Sequence, residues 1–174
     1  MDRLLALLPP RRAPLIVLAG ALVTLLGALF FEHGLGYAPC ALCLEQRWPY
    51  YVAIPLTALA LVVSREANLG EWPEWLMAAI GAIWLVSAGL ALRHMGVEWG
   101  WWQGPAACGG GGALSGSVDD LGAALAGARV VPCDVPAWTF LGLSLAGYNF
   151  LISLGLAAVS FLPLAAGWRE KHGL

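Results

Sequence analysis

Residues 14–32 read PLIVLAGALVTLLGALFFE, an apolar run whose first charge is Glu32 at its very end. A helix needs roughly 20 such residues to cross a hydrocarbon core of about 30 Å. Three further windows have the same character, at about 44–63, 75–93 and 143–165. All four are rich in Leu, Ala and Val with no alternation of polarity. Helices can satisfy their backbone polar groups inside such segments, whereas barrel strands would alternate. The fold class expected is an all-α membrane protein, a four-transmembrane-helix bundle that makes 1–174 a single membrane domain.

Composition agrees. Hydrophobic residues make up 60 % of the chain and charged residues 11 %, against about 25 % charged in soluble domains. Mean hydropathy is +0.75. The net charge of −2 and the scattered cations leave no basic footprint for nucleic acid.

The cations set the orientation. Arg3, Arg11 and Arg12 precede the first span, Arg65 separates the second from the third, and Arg169 and Lys171 follow the fourth, so six of nine share one side. The positive-inside rule makes that side cytoplasmic, with both termini inside and outer loops at about 33–43 and 94–142. Arg47, Arg93 and Arg129 fall outside the rule. The first span resembles a signal peptide in its basic flank, but its length and Pro39 argue against cleavage.

Small residues along the spans, Gly20, Gly27, Gly81, Ser87, Gly89, Gly147 and Gly155, are expected to let helices approach closely. Pro55 and Pro163 can kink spans two and four. In the second outer loop, Trp99, Trp101 and Trp102 read as an interfacial belt. Cys108 is followed by glycine at 109–112, a stretch with almost no backbone restriction. Ser117 and Asp120 then resemble a capping box, and Val118, Leu121, Leu125 and Ala128 share one face, as in a short amphipathic surface helix. Glu32 and His33 read as markers of the membrane boundary.

All four cysteines, Cys40, Cys43, Cys108 and Cys133, fall in the two outer loops. Segregation to the oxidising side is the signature of disulfide chemistry. Cys40-Ala41-Leu42-Cys43 opens the second helix, where the N-terminal partial charge lowers a thiol pKa from about 8.5 and makes a thiolate available for exchange. Arg47, at i+4 from Cys43, is expected on the same helix face, where it can stabilise a thiolate or a reduced quinone oxygen. Cys108 and Cys133, if joined, close a loop of about 25 residues, and a static staple of that size is worth about 3 kcal/mol. The glycines beside Cys108 favour a sulfur that changes partners. Tetrathiolate zinc would call for a second Cys-x-x-Cys, which is absent, so no metal is expected.

The order Phe31-Glu32-His33, Pro39-Cys40-Ala41-Leu42-Cys43 with Gln46-Arg47, two separated outer cysteines, and Trp138-Thr139-Phe140-Leu141-Gly142-Leu143-Ser144 resembles the disulfide bond formation protein B (DsbB) family over nearly the whole chain. That resemblance implies a protein dithiol:quinone oxidoreductase of the bacterial inner membrane with its cysteines on the periplasmic side. It implies disulfides Cys40–Cys43 and Cys108–Cys133. Cys108 would be attacked by a periplasmic DsbA-like thiol oxidase, and electrons would pass through Cys40 and Cys43 to ubiquinone or menaquinone. Cys43 as a thiolate would contact the quinone ring, assisted by Arg47, with His94 as a further neighbour. The glycine run is a departure from the family pattern. A narrower-substrate paralogue fits the same residues. A vitamin K epoxide reductase-like enzyme would carry its Cys-x-x-Cys near the final span, and a scaffold with structural disulfides would show no thiol-dependent quinone chemistry.

Overall fold

The computed structural model describes residues 12–64, 72–108 and 131–173. The chain is mostly helical. Helix α1 (Ala13–Leu29) continues through a wide π-helical turn at Phe30–Gly34. A five-residue helix, α2 (Ala41–Glu45), precedes α3 (Trp48–Val63), and the long helices α4 (Trp72–Glu98) and α5 (Leu145–His172) complete the bundle. Among the described residues, three helical segments are long and apolar enough to cross a membrane: Ala13–Gly34, Pro73–Glu98 and Leu145–His172.

The window expected to cross at 44–63 is not one helix. It breaks at Gln46 and Arg47, and α3 has 16 residues, about 24 Å at 1.5 Å per residue. Pro49 is the cause: it has no N–H to offer the Glu45 carbonyl four residues back. Averaged hydropathy does not register that missing bond. At the other ends helix outruns hydropathy. α4 stays helical five residues past the expected end at Arg93, because His94, Met95 and Val97 are buried by the structure above the bundle. The expected surface helix and the glycine run lie outside the described residues.

The core forms where α1, α3, α4 and α5 meet, around Val17, Ala21, Ala53, Ala60, Met77, Ile80, Trp84 and Ala157. Tyr50 and Trp84 meet edge to face with centroids 4.9 Å apart, a favoured arrangement of ring quadrupoles. Ser87 and Ser153 share a hydrogen bond of 2.9 Å between α4 and α5, while Thr57 and Ser160 donate to carbonyls in their own helices. Small residues divide into two sorts. A Cβ on Gly20 would lie 2.8 Å from Leu156, and one on Gly81 2.8 Å from the Phe161 ring. Gly27, Gly89 and Gly155 face open space, so packing does not explain them.

A tight hairpin leads into α5. Thr139 pairs with Ser144 and Phe140 with Leu143. The two turn residues, Leu141 and Gly142, both have positive φ, at 49° and 80°, the signature of a type I′ turn. This turn delivers Ser144 in extended conformation as the N-cap of α5, where its Oγ accepts the Gly147 N–H at 3.1 Å.

Gly81→Ala is expected to destabilise the bundle by about 1–3 kcal/mol through overpacking, whereas Gly89→Ala should be neutral or stabilising by up to about 1 kcal/mol. Unfolding in mild detergent, followed by circular dichroism, checks the contrast; equal effects would remove Gly81 from the packing interface.

Candidate functional site

Cys40 is the N-cap of α2, with extended backbone (φ −78°, ψ 172°) and a sulfur that accepts the Cys43 N–H at 3.2 Å. Two further groups converge on that sulfur. Cys43 Sγ lies 2.7 Å away, and His94 Nε2 reaches it from α4 at 3.6 Å. Cys40 is 4 % exposed and Cys43 is half-buried. Hydrogen bonding from the Cys43 thiol, aided by His94 and by the Cys43 backbone N–H, overcomes burial and holds Cys40 down at about 4. Cys43 moves the opposite way, pushed up by its bond to Cys40 and then by burial. In the reduced pair the negative charge therefore sits on Cys40.

Around the sulfurs the polar groups interlock. Gln46 donates to His94 Nδ1 at 2.7 Å, and its Oε1 accepts the Asn149 amide at 2.6 Å. Tyr50 donates to Asn149 Oδ1 at 2.5 Å. Glu98, one turn beyond His94, places Oε1 3.8 Å from Nε2, and its other oxygen accepts the Ser144 hydroxyl. Arg93 holds α2 to α4 through Glu45 at 2.8 Å. The hairpin turn and the helix cap are thereby tied to the cysteine pair.

Arg47 does not lie over Cys43 on a continuous helix face, because the helix breaks before it. The broken chain aims its guanidinium at Glu32, 2.6 Å away in the π-helical turn. Both line a cavity of about 290 Å³ that also touches Thr24, Phe31, Cys43 and Ile152. The boundary reading of Glu32 is thus incomplete, since it neutralises the arginine. His33 is exposed and bonded to the Leu29 carbonyl at 3.2 Å.

Cys108 and Cys133 are joined, with Cα atoms 5.2 Å apart. Their bridge is buried, at 8 % and 1 % exposure, and it packs in one apolar cluster with Cys40, Leu42 and Val97, Cys43 lying against the same cluster. Two cysteine pairs that are far apart in sequence thus share one nest of side chains. Trp99, Trp101 and Trp102 are exposed and meet edge to face in sequence, at 4.9 and 5.8 Å.

Sequence reasoning missed Glu98, Tyr50 and Asn149, and used Gln46 and Ser144 only as parts of motifs. A polar side chain inside or beside an apolar span is itself a signal of function, and Asn149, Glu98 and Gln46 all carried it.

Comparison with known proteins agrees with this architecture. The family profile described as Disulfide bond formation protein DsbB matches residues 10–163. A Disulfide bond formation protein B of Methylococcus capsulatus is 33 % identical over 79 % of this chain and 84 % of its own. Its namesake in Saccharophagus degradans is 31 % identical over 86 % of this chain and 90 % of its own, and that of Acidovorax 27 % over 92 % and 90 %. No solved structure matches the chain. A helical membrane chain that gathers its four cysteines in one apolar cluster, and matches that profile from residue 10 to residue 163, belongs to the disulfide bond formation protein B family.

Proposed function

We propose that the chain reoxidises a periplasmic DsbA-like thiol oxidase and delivers the electrons to a membrane quinone, as a dithiol:quinone oxidoreductase of the inner membrane. One observation carries the reading: the Cys108–Cys133 bridge and the Cys40, Cys43 pair share a cluster whose lower edge is an apolar cavity lined by Cys43 and Arg47. Relay needs sulfurs within reach of each other and an apolar acceptor site beside the last of them. In this reading the window 44–63, broken at Gln46 and Arg47, makes the fourth crossing, both termini are cytoplasmic, and the cysteines face the periplasm.

The residues present suit a quinone. The cavity is mostly apolar, which fits a ring with a prenyl tail, and the Arg47 guanidinium can donate to a quinone oxygen. A bound quinone, ubiquinone or menaquinone, supplies acceptance of two electrons and two protons. The rest is the work of the chain. A thiol of the partner attacks Cys108, the Cys108–Cys133 bond breaks, and resolution of the mixed disulfide leaves the outer pair reduced. An outer thiolate then attacks Cys40, breaking Cys40–Cys43 and releasing Cys43 as the thiolate.

Charge follows the bonds. While both inner thiols are free, Cys40 carries the charge and keeps Cys43 protonated. Once Cys40 is tied in a disulfide it is no longer an anion, so the largest cause of the high Cys43 value disappears. Cys43 then becomes the thiolate facing the cavity beside Arg47. Re-formation of Cys108–Cys133 frees Cys40, which closes on Cys43 as the electrons leave. The buried outer bridge must open toward the partner for the first attack, since Cys108 is only 8 % exposed.

Cys43→Ser is expected to abolish thiol-dependent quinone reduction while leaving exchange at Cys108 and Cys133 intact; normal quinone reduction by this variant would refute the assignment. Arg47→Ala should raise the KM for quinone about tenfold, in line with the 1.5–3 kcal/mol of a charged hydrogen bond, and an unchanged KM would remove Arg47 from the acceptor site. In the reduced protein, Cys40 has a value of about 4 and Cys43 lies above the ordinary thiol value of 9.0. At about pH 6 iodoacetamide should therefore modify Cys40 and spare Cys43, with Cys40 reactivity falling only as pH drops through about 4. Peptide mass spectrometry reads the result, and preferential labelling of Cys43 would reverse the placement of charge.

A further inference from the structure

We propose that Gln46, Asn149 and Tyr50 form a reversible amide relay that decides which nitrogen of His94 carries its proton, and so whether His94 donates to Cys40 or takes a proton from it. Three consecutive hydrogen bonds run Tyr50 Oη to Asn149 Oδ1, Asn149 Nδ2 to Gln46 Oε1, and Gln46 Nε2 to His94 Nδ1. An amide nitrogen can only donate, so Nδ1 accepts and Nε2 must bear the hydrogen. That hydrogen faces Cys40 Sγ, 3.6 Å away.

The second setting is built from the same atoms, at the cost of the bonds that Gln46 Nε2 donates to the Leu42 carbonyl at 3.3 Å and Ser153 donates to Asn149 Oδ1 at 3.4 Å. Turning over both amides, with rotation of the Tyr50 hydroxyl, makes Tyr50 the acceptor of Asn149, Asn149 the acceptor of Gln46, and Gln46 the acceptor of an Nδ1–H. The Nε2 lone pair then faces the sulfur. A proton leaving the Cys40 S–H bond can settle there, giving a cysteine thiolate and an imidazolium whose two N–H groups are both satisfied. In the first setting the same imidazolium would press its Nδ1–H against an amide N–H. The relay therefore couples the protonation of His94 to two amides on different helices. Such coupling is worth having only where a proton is repeatedly gained and lost in a buried place, and His94 is 4 % exposed.

The surroundings of His94 leave the relay in charge of Nδ1. Cys40 and Cys43 face the ring from the start of α2, their sulfurs and a ring nitrogen all within 4.8 Å of one another, Glu98 from one turn along its own helix at 3.8 Å, and the Cys133 backbone from the returning loop. Tyr50 of α3 enters only through the relay, and α5 contributes the neutral Asn149. Arg47 is turned to Glu32. Gln46, Asn149 and Tyr50 are thus positioning residues that act through His94, as an asparagine orients the imidazole in a Cys-His-Asn arrangement.

The proposal rests on the thiol–quinone reading only in its kinetic arm. Reduced protein carrying ¹⁵N-labelled histidine, in nanodiscs, is read by the ring-nitrogen shifts, with His94→Gln identifying the His94 signals among three histidines. Wild type should show Nε2–H at neutral pH. Asn149→Asp cannot donate; its carboxylate accepts from both Tyr50 and Gln46, which turns Gln46 Oε1 toward the ring. The His94 signal should then change to Nδ1–H or to imidazolium, although residue 149 does not touch the ring. Tyr50→Phe removes the outermost donor and should give a mixture of tautomers. Two variants guard against misfolding of either one.

In turnover with decylubiquinone and a reduced DsbA-like thiol, Asn149→Asp should move the acid limb of the kcat profile up by about one pH unit. That is about a tenfold loss on that limb. Both variants keeping the wild-type tautomer would overturn the relay, and so would a changed tautomer with an unmoved acid limb. The spectra need neither quinone nor thiol partner. Absence of turnover in wild type would therefore sink the thiol–quinone reading while the tautomer result stands.

Discussion

The Glu45 carbonyl has no amide hydrogen to receive, because the residue four places on is Pro49, and most of the site follows from that missing bond. Without the interruption, residues 41 to 63 would run as a single rod with Gln46 and Arg47 on fixed faces one step apart. The break frees both. Arg47 swings to Glu32 of the preceding turn and Gln46 to His94 of α4. It also leaves α2 as a separate turn whose N-cap is a cysteine, and this cap gathers backbone, thiol and imidazole on one sulfur.

A bundle made mainly of Leu, Ala and Val tolerates polar side chains only when each finds a partner, since an unmet buried group costs about 1–3 kcal/mol. Here the partners come from different helices: Tyr50 from α3, Asn149 from α5, His94 from α4, and Gln46 from the break. The same bonds that remove the penalty fix the helices in register just below the cysteines. Ser144 adds a second tie, accepting the Gly147 N–H as a cap while its hydroxyl donates to Glu98. Rigidity under the sulfurs is thus a by-product of polar satisfaction.

The sequence made some of this plain and hid the rest for identifiable reasons. Spans α1, α4 and α5 were legible because lipid solvation requires long apolar runs, and such runs survive averaging over a window. The break in α3 was not, because one missing N–H leaves hydropathy untouched. That the cysteines lie outside the long apolar runs was readable, but their meeting in one cluster with Leu42 and Val97 depends on how α2 sits against the end of α4. Arg47 was expected on the helix face of Cys43 and instead turns to Glu32, since i+4 spacing assumes an unbroken helix. The Asn149–Gln46 bond joins residues 103 apart, and no local pattern encodes such a pair. The glycines beside Cys108 belong to residues the structure does not describe.

The distribution of charge explains why two thiols three residues apart behave so differently. Both are within reach of the same helix terminus, so the dipole alone would favour either. Only the N-cap residue presents its sulfur to the Cys43 N–H and to His94. Two anions 2.7 Å apart would repel strongly in so dry a place, so one sulfur takes the charge and the other keeps its proton as a donor to it. Arg47 does not upset the balance, because Glu32 cancels it at 2.6 Å. A second negative charge can therefore form on Cys43 only when Cys40 has given up its own by forming a bond, and covalent exchange at one sulfur becomes the switch that ionises the other.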